Sequence, residues 1–363
     1  MLGYAAVMSR PPEPPAVATG RPPGMLDVAR LAGVSHQTVS RVLNDHPSVR
    51  PETRVRVETA IRELGYRRNS AARALATRRS STVGLLTATS NRSGPVSTLV
   101  AVEQASRAAG LWVSVASLSV YDPVSVRSAL DHFLDQGVDG IIVIAPVEEA
   151  VQVASAVAID VPVVIVAPRV EPGSRALAVA VDQRRGARLV VGHLAELGHT
   201  RVAHVAGPPG WLDAIERETG WREELAARGL PASEPVGGDW TAASGYAAAR
   251  HLHPSATAVF AANDQMALGL VRALVEQGRR VPQDVSVAGF DDIETAAFTL
   301  PPLTTVRQDF DALGLAAVRT LVARMAGEPA PPATLVEPVL QVRASTAVPP
   351  SRQPVPPGLD PGP

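Results

Sequence analysis

The chain has 363 residues and a nearly balanced charge of −1, which is room for two or three domains and a large core. It contains no cysteine, so disulfides, thiolate nucleophiles and Cys-ligated metals are excluded. No stretch approaches the roughly 20 apolar residues of a membrane span. The overall balance hides an asymmetry: residues 25–79 carry eleven Arg against five Asp or Glu, so the rest of the chain is acidic. A basic block ahead of an acidic body suits a phosphate-binding head on a larger scaffold.

In chain order, residues 1–24 are rich in Pro and Gly and are expected to be disordered. The opening MLGYAAVM lacks a basic region and stops at Ser9-Arg10-Pro11-Pro12, a poor secretory signal, so the expected compartment is the cytoplasm. Residues 25–66 form a helical head. Asp27 is placed to cap a first helix whose inward face is Val28, Leu31 and Ala32. Gly33 allows the positive φ of a sharp turn, and Val34 fills the corner. Ser35 caps a second helix with Val39, Val42 and Leu43 inward, leaving His36, Gln37, Thr38, Ser40 and Arg41 outward. This is the outline of a helix-turn-helix, whose second helix enters the major groove. The pattern alone also fits an ordinary helical hairpin. A third helix opens at Pro51-Glu52, buries Val57, Ala60, Ile61 and Leu64, and ends at Gly65. A basic linker fills 67–81.

From 82 to 346 the sequence alternates strands and helices. Thr82–Leu86, Leu111–Ala116, Gly140–Ile144, Pro162–Val166, Val202–Ala206, Ala258–Ala261 and Val285–Phe290 read as buried strands. Most helical runs between them end in glycine, at Gly110, Gly137, Gly198, Gly229 and Gly278. Alternation of this kind predicts parallel sheets flanked by helices, and the length predicts two α/β lobes with a cleft between them. The Pro-rich run 347–363 is expected to be a disordered tail. His193, His199 and His204 fall across a helix end and a strand with no acidic companion at ligand spacing, so no metal is expected. No GxSxG, HExxH or Walker pattern is present, and neither catalysis nor a cofactor is expected.

The blocks DVARLAGVS, QTVSRVLN and ELGYRRNSAARAL in the head, with RETGW (217–221), GDW (238–240), NDQMALG (263–269), GFDD (289–292) and PPLTTVRQDFDALG (301–314) in the body, resemble the LacI/GalR family of bacterial transcription regulators. The resemblance covers about 25–346. It implies a helix-turn-helix head on a two-lobed α/β body like that of periplasmic sugar-binding proteins, with three strands crossing between the lobes and ligand in the cleft. By position it implies base reading by His36, Gln37 and Arg41, and phosphate contacts from Ser35, Ser40, Asn44 and Tyr66. The chemistry agrees, since Gln pairs with adenine and Arg is bidentate to guanine. Residues 69–75 match the family's hinge, with Asn69 and Ala72 at the DNA and Leu75 as an apolar wedge in the minor groove; without that context Leu75 reads as a linker leucine packed on the body.

Sugar sites combine bidentate polar groups with an aromatic wall. The resemblance assigns these roles to Arg217, Asn263 and Asp291 around Trp240, with Gln308 and Phe310 at the crossing strands. Asn263-Asp264 and Asp291-Asp292 have the alternative of simply capping helices. The implied protein is a homodimeric, sugar-released repressor on a pseudo-palindromic operator, with no membrane association. The alternatives are a co-repressed regulator and a sugar receptor. Three departures stand out. Arg50 precedes the third helix where relatives often have Ser or Thr. Gly24-Met25-Leu26 replaces the more usual opening of the first helix. Ala167 occupies a position where relatives often carry Asp, which argues against a simple transfer of sugar specificity.

Overall fold

A computed structural model describes residues 23–67, 79–88, 93–158, 161–168, 170, 173–329 and 334–350. The chain divides between residues 78 and 79 into two compact units, a head and a body. Asn69, Ala72 and Leu75, expected to form the hinge, lie outside the described residues.

The head is three helices: α1 (Met25–Ala32), α2 (His36–Leu43) and α3 (Pro51–Leu64). Val28, Ala29, Ala32, Val39, Val42, Val57 and Ala60 form its core. Two details differ from the sequence expectation. The cap of α1 is Gly24, and Asp27 sits one turn in, accepting a bond from the Gly24 amide at 2.9 Å. The buried stripe is therefore centred on Val28, Ala29 and Ala32, and Leu31 lies on its flank, 49 % exposed. Gly33 and Gly65 take the left-handed conformation that ends α1 and α3.

The body holds two parallel sheets. In the first lobe, β1 (Thr82–Ala88), β2 (Trp112–Leu118), β3 (Gly140–Ile144), β4 (Val163–Val166), β5 (Leu177–Val181) and β11 (Thr334–Val336) lie in the order β11-β5-β4-β3-β1-β2. In the second, β6 (Val202–Ala206), β7 (Val236–Gly237), β8 (Ala258–Ala261) and β9 (Ser286–Ala288) lie in the order β7-β6-β8-β9. The expected strands are all present, three with the expected limits and four with ends shifted by one or two residues. β5, β7 and the short late strands β10 (Thr305–Arg307), β11 and β12 (Val339–Gln341) were not anticipated. Helices α4 (Ser93–Ala108), α5 (Pro123–Asp135) and α6 (Glu148–Val157) flank the first sheet, and α7 (Gln183–Glu196), α8 (Leu212–Ala227), α9 (Ala242–Ala248) and α10 (Asp264–Glu276) the second. α11 (Phe310–Met325) returns to the first lobe, where Leu313, Ala317, Val318 and Leu321 join the core beneath β1, β3, β4 and β5.

The chain thus passes between the lobes after β5, after β10 and after β11. The first two passages are tied together: Gln183 Nε2 donates to Gln308 Oε1 at 2.8 Å. The antiparallel pair β10–β12 joins the second and third. Both ends of the body are held beyond the expected boundaries. Ser80 and Ser81 donate their amides to Asp139 at 2.8 and 2.7 Å. Ala347, expected to begin a loose tail, donates its amide to Ser286 Oγ and accepts from His199 Nε2 at 2.9 Å. His199 is therefore a buried strut. His204 is buried as well, stacked between Trp221 and Phe260. Among the described residues no group of side chains is arranged to hold a metal, and no helix is long and apolar enough to cross a membrane.

Candidate functional site

Two places concentrate unusual side chains, one in each unit. In the head, Ser35 caps α2 by accepting the Thr38 amide at 3.2 Å, and its hydroxyl also meets Thr38 Oγ1 at 2.9 Å. The cap fixes the start of the helix, so the buried Val39 and Val42 dictate which way its other face points. His36, Gln37 and Arg41 are exposed on that face, with Gln37 and Arg41 one turn apart. No residue in the described part of the head forms an ion pair with Arg41, whereas Arg54 is engaged with Asp45 at 2.6 Å and the His46 carbonyl at 3.2 Å. Asn44 ends the helix with Nδ2 donating to the Ser40 carbonyl at 2.9 Å, and Tyr66 leans on the core just past α3. The result is a short helix with the Arg41 guanidinium and the Gln37 amide on its exposed face.

In the body, the cleft between the lobes is lined by Arg217, Trp240, Asn263, Asp291, Gln308 and Phe310 together, about 770 Å³ of space partly open to solvent. All six cleft residues picked from sequence meet there. Arg217, on α8, is 3 % exposed. Its Nε donates to Gln183 Oε1 at 2.9 Å, another N–H donates to the Ala262 carbonyl, and Nη1 lies 3.5 Å from Asp291 Oδ1. Its guanidinium carbon lies 3.9 Å from the centre of the Phe290 ring and 5.4 Å from that of Trp240. Asp291 also accepts from Gln308 Nε2 at 2.7 Å. Asp292 faces away, paired with Arg307 and Arg343 at 2.7 and 2.6 Å, so the two adjacent carboxylates divide into a cleft role and a scaffold role.

Asn263 does both things the sequence allowed. Its Oδ1 caps α10 by accepting the Met266 amide at 2.9 Å, while Nδ2 donates to the Trp240 carbonyl at 3.1 Å. That bond restrains a residue with φ of 72°, a left-handed conformation a bulky side chain rarely adopts. The Trp240 ring lies over Gly207, where a Cβ would approach ring carbon Cη2 to 2.3 Å. The indole is buried, and its Nε1–H finds no acceptor among the described residues. Behind the cleft floor, Asp264 accepts from Thr305 Oγ1 and the Ile293 amide. Burial, and then the Asp291 carboxylate, push its pKa up to about 8.

Sequence reasoning missed Gln183, Trp211 and Asp213, which line the same cleft. Gln183 follows β5, an unrecognised strand. Trp211 and Asp213 stand just before and inside the first turn of α8, and only the folded lobes bring them to the cavity. Ala167 does lie in the wall, 4 % exposed and with no side-chain acceptor to offer.

Comparison with known proteins agrees with this geometry. Residues 24–69 match the model for bacterial regulatory proteins, lacI family, and residues 191–346 match a periplasmic binding protein-like domain. The lactose operon repressor of Escherichia coli (strain K12) is 34 % identical over 337 residues, 92 % of this chain and 93 % of that protein. The HTH-type transcriptional regulator CelR of Thermobifida fusca is 37 % identical over 344 residues, 90 % of this chain and 98 % of that one. Among solved structures, a lac repressor dimer bound to operator and the anti-inducer ONPF superposes with a TM-score of 0.82 at 34 % identity, over 90 % of this chain and all of that one (100 %). A CelR–cellobiose complex gives a TM-score of 0.67 at 35 % identity, over 89 % of this chain and 99 % of that one. With identity at this level across nearly the whole of both chains, this protein belongs to the LacI family of bacterial regulatory proteins.

Proposed function

We propose that the chain is a sequence-specific transcriptional repressor released from its operator by a sugar held between the lobes of the body. The observation that carries this reading is the combination in one chain of a capped helix with free base-reading groups and a cleft where Arg217, Asn263 and Asp291 converge beside a Trp240 wall. Two copies would bind a pseudo-palindromic operator, each placing α2 in a major groove. In this reading His36, Gln37 and Arg41 read bases, and Ser35, Ser40, Asn44 and Tyr66 fix register on phosphates. Asn69, Ala72 and Leu75 complete the contact as a hinge in the minor groove. The relatives support it: one solved neighbour is a dimer on its operator, and another is a complex with cellobiose. In this reading the protein works where the DNA is, in the cytoplasm.

The cleft suits binding better than turnover. The buried carboxylate of Asp291 is occupied by Arg217 and Gln308 rather than held ready for proton transfer. Release then follows from differential affinity: a sugar that prefers the lobe arrangement with weak DNA binding shifts the population toward it. The test has two steps. Duplexes are first selected from a random pool by the full chain, with a two-half-site palindrome expected. Sugars are then titrated into the purified complex. A sugar that dissociates the complex supports the reading; one that tightens it reverses the sign of control, and failure to select any DNA overturns it.

A further inference from the structure

The polar groups of the cleft are already engaged with each other, apart from the Trp240 Nε1–H and one carboxylate. Arg217, Gln183, Gln308, Asn263 and Asp291 all bond within the protein. Asp213 lines the same cavity, yet no described residue donates a hydrogen bond to its carboxylate. Desolvation raises its pKa above the ordinary carboxylate value, and the nearby Arg217 only partly offsets this. Asp213 is half-buried, so its carboxylate reaches the cavity and can accept from a molecule held there.

Beside it stands a second indole. Trp211 also lines the cavity, and its ring meets that of Trp240 at a centroid distance of 6.0 Å and an angle of 69°. The two walls form a corner. One pyranose ring can stack flat on one of them, and nothing in that ring lies flat on the other. The opposite, first-lobe wall is nearly all apolar: Pro95, Ile144, Pro146, Val166 and Ala167, with the Thr98 hydroxyl spent on the Gly94 carbonyl at 2.8 Å. Hydroxyls must therefore be met from the second-lobe side, where Asp213 is.

The same segment joins the lobes. Trp211 forms a bridge to Val147, the Leu212 amide donates to the Pro146 carbonyl at 2.8 Å, and the Leu212 side chain is buried in the core of the first lobe. A ligand on Trp211 therefore touches the place where closure of the lobes is fastened.

We infer that Trp211 and Asp213 form a second-ring subsite, and that the effector is a saccharide of two rings. The ring on Trp240 is held by Arg217, Asn263 and Asp291; the other rests on Trp211 and donates its hydroxyls to Asp213. This inference rests on the sugar reading above.

Calorimetry on the full chain tests it, with cellobiose, maltose and lactose set against glucose and galactose. One of the disaccharides binds at least about tenfold more tightly than its constituent monosaccharides. In Asp213→Asn and in Trp211→Ala that advantage falls toward unity, and Trp211→Phe, which keeps an aromatic wall, restores most of it. Equal affinity for the disaccharide and its monosaccharides in the parent protein overturns the inference. So does an advantage that survives Asp213→Asn, whatever the folding of the Trp211 variants. If no sugar of the set binds the parent protein, the sugar reading itself falls, an outcome distinct from the other two.

Discussion

Trp240 is the residue on which the cleft turns. It holds a backbone conformation unfavourable to its own side chain because Asn263 bonds its carbonyl and the absence of a Cβ on Gly207 leaves room for its ring. Gly207→Ala therefore pushes the indole out of place, and sugar affinity should drop by about tenfold or more, as read by calorimetry; wild-type affinity in that variant would mean the ring is not the wall. Arg217 is a different case. It is a buried charge whose partners are all internal, so removing it leaves Asp291 uncompensated. Arg217→Ala should cost roughly 3–5 kcal/mol of stability. Removing Asp291 as well should recover part of that loss, and a double variant less stable than the single one would contradict this account. Both measurements are thermal or denaturant unfolding of the full chain.

At the scale of elements, the capping of the head helices can be compared directly. Ser35 bonds the Thr38 amide, whereas Arg50 at the start of α3 gives no side-chain cap. Arg50→Ser should accordingly stabilise α3 by about 0.5–1 kcal/mol, and Ser35→Ala should destabilise α2 by about 1 kcal/mol, both visible as changed exchange of first-turn amides. Arg41→Ala should weaken binding to the selected operator by roughly 1–3 kcal/mol, because a guanidinium without an internal partner is replaced by nothing that can meet a base edge. The same comparison shows what could be read in advance. Gly140–Ile144 and Val202–Ala206 are continuous apolar runs because parallel strands are buried on both faces, and their limits are those expected. β10, β11 and β12 have three residues each, too short for any periodicity, and β10–β12 pair only through a long-range return of the chain. Leu31 was misplaced for a related reason: the start of α1 at Gly24 has no polar cap residue to announce it. The cleft residues that carry a motif were found, while Trp211 and Asp213 were not, since their position depends on how the lobes fasten.

For the whole molecule, pH and ligand act on the same body. His204 donates Nδ1–H to the Phe260 carbonyl at 2.9 Å, is fully enclosed, and burial lowers its pKa to about 4. Between that value and the ordinary 6.5 the unfolded chain takes up a proton that the native chain refuses, so stability is lost as pH falls through this window. The loss is about 3 kcal/mol at its full extent. His204→Gln should flatten the slope between pH 6.5 and 5, and an unchanged slope would remove His204 as its cause. The account's central claim is the coupling of cleft to head, and fluorescence anisotropy of a labelled selected operator with the full chain addresses it most directly. Adding the sugar that binds tightest by calorimetry should release the DNA from the parent protein at concentrations near its Kd, and Arg217→Ala should require a concentration about tenfold higher or more. DNA binding indifferent to saturating sugar, or release identical in Arg217→Ala, would contradict it.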